Sequence, residues 1–220
     1  MNKTITFRVG AVLVIFVLAV IVGVCLLMPT KNLPIIQPQK LNPALVDPGH
    51  WNKSNHVISD FQLINHLGDT VRRSDVSDQV LIVEFFFTRC ATICPIMTQN
   101  LVRVHGALND LSGYYILSHS VTPQADSASV LNAYSRRMGA FWPNWWFLTG
   151  DKEEIYRLAR TSYFACYDEM QGGDGGLQDF IHTENIVLVD GQGRLRGFYD
   201  GTSEEAMNQL IEDARWLIEK

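Results

Sequence analysis

Apolar residues fall along this chain in three regimes. From Val9 to Met28 they run without a single charge. A helix of that length spans about 30 Å at ~1.5 Å per residue, the thickness of a bilayer's hydrocarbon core. Residues 9–28 therefore predict a transmembrane anchor, with residues 1–8 as a cytoplasmic N-terminus. Lys3 and Arg8 precede the span and Lys31 follows it, so the positive-inside bias toward that orientation is slight. The run is longer than the apolar core of a cleaved signal peptide, and no A-x-A site follows it. Cys25 stands after Val22-Gly23-Val24, a poor context for lipidation, which leaves a retained helix as the expectation. In the second regime, residues 29–50, Pro34, Pro38, Pro43 and Pro48 predict an extended, semi-rigid tether. The third, residues 51–220, carries the periodicities of a folded domain.

Within that domain the run Val80-Leu-Ile-Val-Glu-Phe-Phe-Phe87 reads as a strand buried on both faces. Pro95 at a first helical position predicts a helix to Leu111. Tyr114–Val121 and Trp145–Leu148 read as strands, and Ser127–Met138 as the helix between them. Asp151 caps a further helix, with Glu154 three positions on and Ile155, Leu158 and Ala159 on its apolar face. Asn185–Val189 and Leu195–Tyr199 flank the turn Asp190-Gly-Gln-Gly193, a hairpin signal. A last helix starts at Thr202 with Glu205 closing a capping box, and Met207, Leu210, Ile211, Ala214, Leu217 and Ile218 line one side. Alternating strands and helices followed by a hairpin and a helix predict an α/β domain. Its plan is thioredoxin-like, a mixed central sheet with helices on both faces. There is no internal repeat.

Composition narrows the class. Of the 220 residues, 47% are hydrophobic and 19% charged, enough for a real core and too apolar for a disordered chain. A net charge of −5, with no Lys/Arg cluster, argues against nucleic acid as a partner. Four cysteines, Cys25, Cys90, Cys94 and Cys166, are too few for a disulfide-stapled scaffold.

Two of them carry the chemistry. Cys90-Ala-Thr-Ile-Cys94-Pro95 sits where a strand ends and a helix begins. Free N–H groups and the helix dipole favour thiolates there. Thiolates are donors for a soft ion such as Cu(I) and nucleophiles for disulfide exchange; a plain structural disulfide is the bland alternative. Three intervening residues make a wider loop than the redox C-x-x-C, better suited to two sulfurs on one metal. Glu84, mid-strand and six positions before Cys90, is either a buried proton relay for the thiols or a carboxylate paired with a basic group or water. The stretch Gln171-Gly-Gly-Asp-Gly-Gly176 lacks the Lys and helix of a nucleotide loop and reads as a mobile flap or an ordinary loop. Met97 and Met170 are packing residues or weak extra donors. Cys166 reads as a buried strand residue, and His50, His56, His66, His105 and His119 carry no pairing signal.

Phe87-Thr-Arg-Cys90-Ala-Thr-Ile-Cys94-Pro95 resembles the F-T-x-C-P-x-x-C-P signature of the Sco/SenC family. Ser120-Val-Thr-Pro123, Leu148-Thr-Gly-Asp151 and Phe180-Ile-His182-Thr183 resemble, in order, its S-V-D-P, its L-T-G-D and the region of its D-H-S histidine. The likeness covers the chain from about His56 onward. It implies a thioredoxin fold with one copper ion on Cys90, Cys94 and His182. It also implies delivery of that copper to the copper centre of cytochrome c oxidase subunit II. Taken alone, His182 is a lone histidine before a strand and no ligand signal. Three positions depart from the family pattern: Ala91 for Pro, Thr122 for Asp and Ile181 for an acidic residue.

The expectation is therefore a copper metallochaperone, not an enzyme in the ordinary sense. It would be a single-pass protein of the inner membrane with its soluble domain in the periplasm or another extracytoplasmic space. The alternative is a thiol–disulfide oxidoreductase that keeps cuproprotein cysteines reduced. A thiol peroxidase, with Arg89 beside Cys90, fits less well because the cysteines are paired.

Overall fold

The computed structural model describes residues 13, 15–20, 22–23, 31–41, 46, 54–166, 181 and 183–220. The chain divides into two units, Met1–Asn32 and Leu33–Lys220. In the first, the described residues 13, 15–20 and 22–23 are helical, with Ile15, Phe16 and Leu18 exposed. Most of the expected anchor lies outside the described residues, and among those described no helix is long and apolar enough to cross a membrane.

The second unit is one seven-stranded mixed sheet covered on both faces, in the strand order β2-β1-β5-β4-β3-β6-β7. Its strands are β1 (Gln62–Asn65), β2 (Thr70–Arg72), β3 (Val80–Phe86), β4 (Tyr114–Ser120), β5 (Trp145–Thr149), β6 (Asn185–Val189) and β7 (Leu195–Asp200). Its helices are α1 (Ile93–Leu108), α2 (Ala128–Met138), α3 (Lys152–Arg157) and α4 (Glu204–Ile218). β3, β4 and β5 are parallel, while β6 pairs with β3 and β1 with β5 antiparallel. This is the expected plan: parallel β-α-β units closed by an antiparallel hairpin and a helix.

β3 is buried along its whole length, as its apolar run requires. Because strand side chains alternate, Val80, Ile82 and Phe86 join the core under α1, α2 and α4, with Met97, Leu101, Leu131 and Leu210. Leu81, Val83 and Phe85 join the opposite core with Ile155, Tyr156, Tyr163 and Phe164. Glu84 takes the even register and faces the α1 side.

Four features differ from expectation. The β1–β2 hairpin escapes the sequence pattern because exposed Ile64 and Leu67 interrupt its alternation; Gly68, at φ +92°, makes its turn. α1 begins at Ile93, two residues before Pro95, and stops at Leu108. α4 is capped by Ser203, whose hydroxyl accepts the Ala206 N–H. The Thr202 N–H, which the expected box would give to Glu205, goes to Asp200 instead, so that box does not form. Cys166 is buried but lies in a bend, outside any strand.

The compact unit also starts earlier than residue 51. Arg196 on β7 donates to the carbonyls of Leu33 and Pro34, and the Ile36 N–H donates to the Leu195 carbonyl. Arg196 is itself paired with Asp190 at 2.8 Å. Part of the proline-rich segment is thus fastened along the edge of β7, whose backbone would otherwise be open to pairing.

Candidate metal centre

β3 ends at Phe86, and residues 87–92 form the loop that carries Cys90 to the start of α1. Cys90 precedes the helix and Cys94 stands in its first turn. The N-cap residue Thr92 makes no side-chain cap. The Cys94 N–H instead donates to the Cys90 Sγ at 3.5 Å, so the sulfur occupies the place of a capping oxygen. The Thr92 hydroxyl lies 3.6 Å from the same sulfur. Both cysteines are free thiols, 8% and 3% exposed.

The two thiols are unequal. Burial pushes the Cys90 thiol up, but hydrogen bonds from the backbone and side chains of Cys94 and Thr92 outweigh it and bring the pKa down to about 7. Burial drives Cys94 well above the ordinary thiol range; the Phe87 backbone opposes this, and the sulfur of Cys90 and the charge of Glu84 reinforce it. One sulfur is an available thiolate near neutral pH and the other holds its proton. Such a pair can give two soft donors to a metal, or a nucleophile and a resolving thiol to a disulfide.

Glu84 lies beneath this pair, fully buried. Its Oε1 accepts the Ser118 hydroxyl at 2.6 Å, and Ser118 Oγ accepts the Trp145 indole N–H at 2.9 Å. Among the described residues Oε2 has no hydrogen-bond partner. Burial raises its pKa to about 7 against the weaker pull of Ser118. Among the described residues no basic side chain forms an ion pair with it, which leaves the proton-carrying reading of this residue with a physical basis. Next to it in the same core, the Thr98 hydroxyl donates to the Cys94 carbonyl at 2.9 Å and meets the Tyr134 hydroxyl at 2.9 Å.

His182, Met170 and the glycine-rich stretch 171–176 lie outside the described residues, as does His50. The residues on either side of His182 are described and buried. The Ile181 N–H donates to the Tyr156 hydroxyl at 3.4 Å, and that hydroxyl donates to the Val121 carbonyl at the end of β4. The Thr183 hydroxyl donates to the Ala165 carbonyl at 2.7 Å. Among the described residues no three His, Cys, Asp or Glu side chains group as a metal site. Met97 is fully buried in the core under α1.

The departures from the family pattern acquire contexts here. Ala91 is exposed. Ile181 packs into the apolar core on the α3 side, a place unsuited to an acid. Thr122 donates its hydroxyl to Asp126, a fully buried carboxylate that also accepts from Thr88 in the cysteine loop. Asp126, Ser118 and Tyr156 were not legible as site residues. Asp126 lies in a polar loop and Tyr156 in an apolar helix face, and only the folded chain brings Asp126 to Thr88 of the cysteine loop and Tyr156 to Ile181, the residue before His182. A weak signal existed for Ser118, a polar residue within an apolar strand.

The model of the SCO1/SenC family matches residues 50–219. The chain belongs to the SCO1/SenC family. It is 28% identical over 163 residues to the SCO1 protein homolog of Bacillus subtilis, covering 73% of this chain and 82% of that one. The structure of BsSco, a member of the Sco family of cytochrome c oxidase assembly proteins in which a disulfide switch is identified, superposes with a TM-score of 0.63 at 28% identity. That match covers 75% of this chain and 95% of BsSco. Yeast Sco1 with copper bound shares the fold, with a TM-score of 0.55 at 22% identity over 73% of this chain and 89% of that one. The other Sco-type signatures, Leu148-Thr-Gly-Asp151 and Ser120-Val-Thr-Pro123, fall at the ends of β5 and β4, on the same edge of the sheet as the cysteine loop.

Proposed function

We propose that this chain is a copper metallochaperone of respiratory oxidase assembly, holding one copper ion through Cys90, Cys94 and His182. The observation that carries the reading is the Cys90–Cys94 pair at the start of α1, reduced and polarised, in a member of the SCO1/SenC family. Thiolate and imidazole donors suit copper in both of its common oxidation states. The relatives support the assignment: one is a cytochrome c oxidase assembly protein and another is known with copper bound. The client is the copper centre of cytochrome c oxidase subunit II. Residues 9–28 anchor the chain in the inner membrane, with the folded unit on the periplasmic or extracytoplasmic side.

The residues divide the work by their chemistry. Copper is the cargo; Cys90 offers a thiolate without a large proton cost near neutral pH, while Cys94 must give up a proton as the ion arrives. Glu84, poised near neutrality beside it, is the group that takes that proton. Copper titration of the full-length chain tests the reading. One ion per chain is expected, and its retention by a Cys90→Ser/Cys94→Ser double variant would overturn the ligand assignment.

The same asymmetry favours a second activity on the client's cysteines. The Cys90 thiolate attacks a client disulfide, forming a mixed disulfide and releasing one client thiolate. Cys94, its proton passed to Glu84, attacks the Cys90 sulfur and releases the second. The client gains two electrons and leaves as two thiolates, which become a dithiol with the proton held by Glu84 and one from solvent, and this chain is left with a Cys90–Cys94 disulfide.

A further inference from the structure

We propose that Asp126 is a positioning residue for the cysteine loop, a carboxylate that fixes the direction in which Cys90 leaves β3. The inference rests on Cys90 being the working sulfur of the proposed function. Asp126 lies in the connection from β4 to α2 and is fully buried. Its oxygens accept four hydrogen bonds. Oδ2 receives the Thr88 N–H at 3.1 Å, the Ser120 hydroxyl at 2.6 Å and the Thr122 hydroxyl at 3.0 Å. Oδ1 receives the Thr88 hydroxyl at 2.5 Å.

A buried carboxylate without a cation is costly unless donors surround it, so this arrangement is built rather than incidental. The bonds from Ser120 and Thr122 are local and would by themselves close the β4–α2 turn, together with the Ala125 and Asp126 N–H groups on the Thr122 carbonyl. The two from Thr88 do something else. They come from 38 residues away, both from one residue, through its backbone and its side chain at once. That pins the peptide and the χ1 rotamer of a residue two positions before Cys90. The Cys90 N–H then closes on the Phe87 carbonyl at 3.2 Å, so the turn bearing the sulfur is held at its second residue by Asp126. The end of β4 is tied to the same loop, because the Val121 N–H donates to the Phe86 carbonyl.

Thr122 takes part in the same network. A second ionised carboxylate at that position would have no proton to donate and would repel Asp126. Threonine supplies a donor instead, one of the four hydrogen bonds that Asp126 accepts.

The test compares Asp126→Asn, Thr88→Val and Thr88→Ser with wild type in the full-length chain. Asparagine turns an amide N–H₂ toward donors; valine removes the hydroxyl while keeping size; serine keeps the hydroxyl. Two readouts are taken below the unfolding transition: Cu(I) affinity by chelator competition with the thiolate-to-Cu(II) absorption band, and the rate of the Cys90 thiol with a small-molecule disulfide. Asp126→Asn and Thr88→Val are expected to weaken Cu(I) binding about 10–100-fold, as loss of a group behind a ligand does, and to shift the band. Both should slow Cys90, while Thr88→Ser stays near wild type. Should wild type bind no copper, the chaperone reading falls and the Cys90 rates still decide this inference. Equal affinity, spectrum and Cys90 rate in Thr88→Val and Thr88→Ser would overturn it, since the hydroxyl bond to Asp126 would then have no effect on the sulfur.

Discussion

The backbone N–H of Cys94 donates to the sulfur of Cys90 at 3.5 Å, so a helix that lacks a conventional cap is capped by its own metal-site candidate. Sequence spacing alone places the cysteines together; burial chiefly holds the proton on Cys94, and this bond is one of those from Cys94 and Thr92 that set Cys90 apart. It favours charge on Cys90 and, by that charge, disfavours a second one on Cys94.

The difference is open to alkylation kinetics. In the reduced, metal-free chain, modification of Cys90 by iodoacetamide should rise with a midpoint near pH 7, while Cys94 stays unreactive until far higher pH. Mass spectrometry of the modified peptides follows both sites at once. Two cysteines rising together near pH 9 would contradict the hydrogen-bonded cap.

Glu84 should leave a signature in stability against pH. Its folded-state pKa is raised from 4.5 to about 7, chiefly by burial. The native state therefore holds a proton that the unfolded state has lost, and the group's contribution to stability declines as pH rises from 4.5 through 7. The full decline is about 3 kcal/mol at ~1.4 kcal/mol per pKa unit. Urea unfolding of Glu84→Gln between pH 4.5 and 8 should show a flatter profile than wild type. Identical slopes would mean that Glu84 titrates at an ordinary pKa.

Tyr156 ties the end of β4 to the residue before His182, through Val121 and Ile181. Tyr156→Phe leaves a buried carbonyl and a buried N–H without this partner, at a cost of about 1–3 kcal/mol. The urea midpoint should fall with the slope unchanged, and Cu(I) affinity should fall with it if the anchoring reaches His182. Wild-type stability in the phenylalanine variant would remove Tyr156 from the account.

How far the fold was legible follows from where its information lies. β3 and β4 are long, apolar runs, and the β6–β7 hairpin has Asp190 and Gly193 at its turn, so local pattern suffices for them. The β1–β2 hairpin is short and carries exposed Ile64, so burial on one face is decided by its partner β5 and not by its own alternation. Helix ends were displaced where side chains compete for backbone groups, as Asp200 does for Thr202 and Cys90 for the Cys94 N–H. The two cysteines were legible as a pair from their spacing. Their asymmetry was not, because it depends on burial and on the hydrogen bonds that Cys94 and Thr92 make to the Cys90 sulfur. His182 was legible only through resemblance, and Asp126 not at all, since its partner Thr88 is distant in sequence.

The central claim is that His182 completes a copper site on the Cys90–Cys94 pair, and His182→Ala addresses it most directly. The change removes one nitrogen donor and leaves the thiols at the start of α1 in place. Cu(I) affinity by chelator competition is measured beside the rate of reaction with a small-molecule disulfide. The account predicts a loss of copper affinity well beyond the 10–100-fold typical of groups behind the ligands, with most thiol reactivity kept. Unchanged copper affinity with a collapsed disulfide rate would contradict it and leave the oxidoreductase reading in its place.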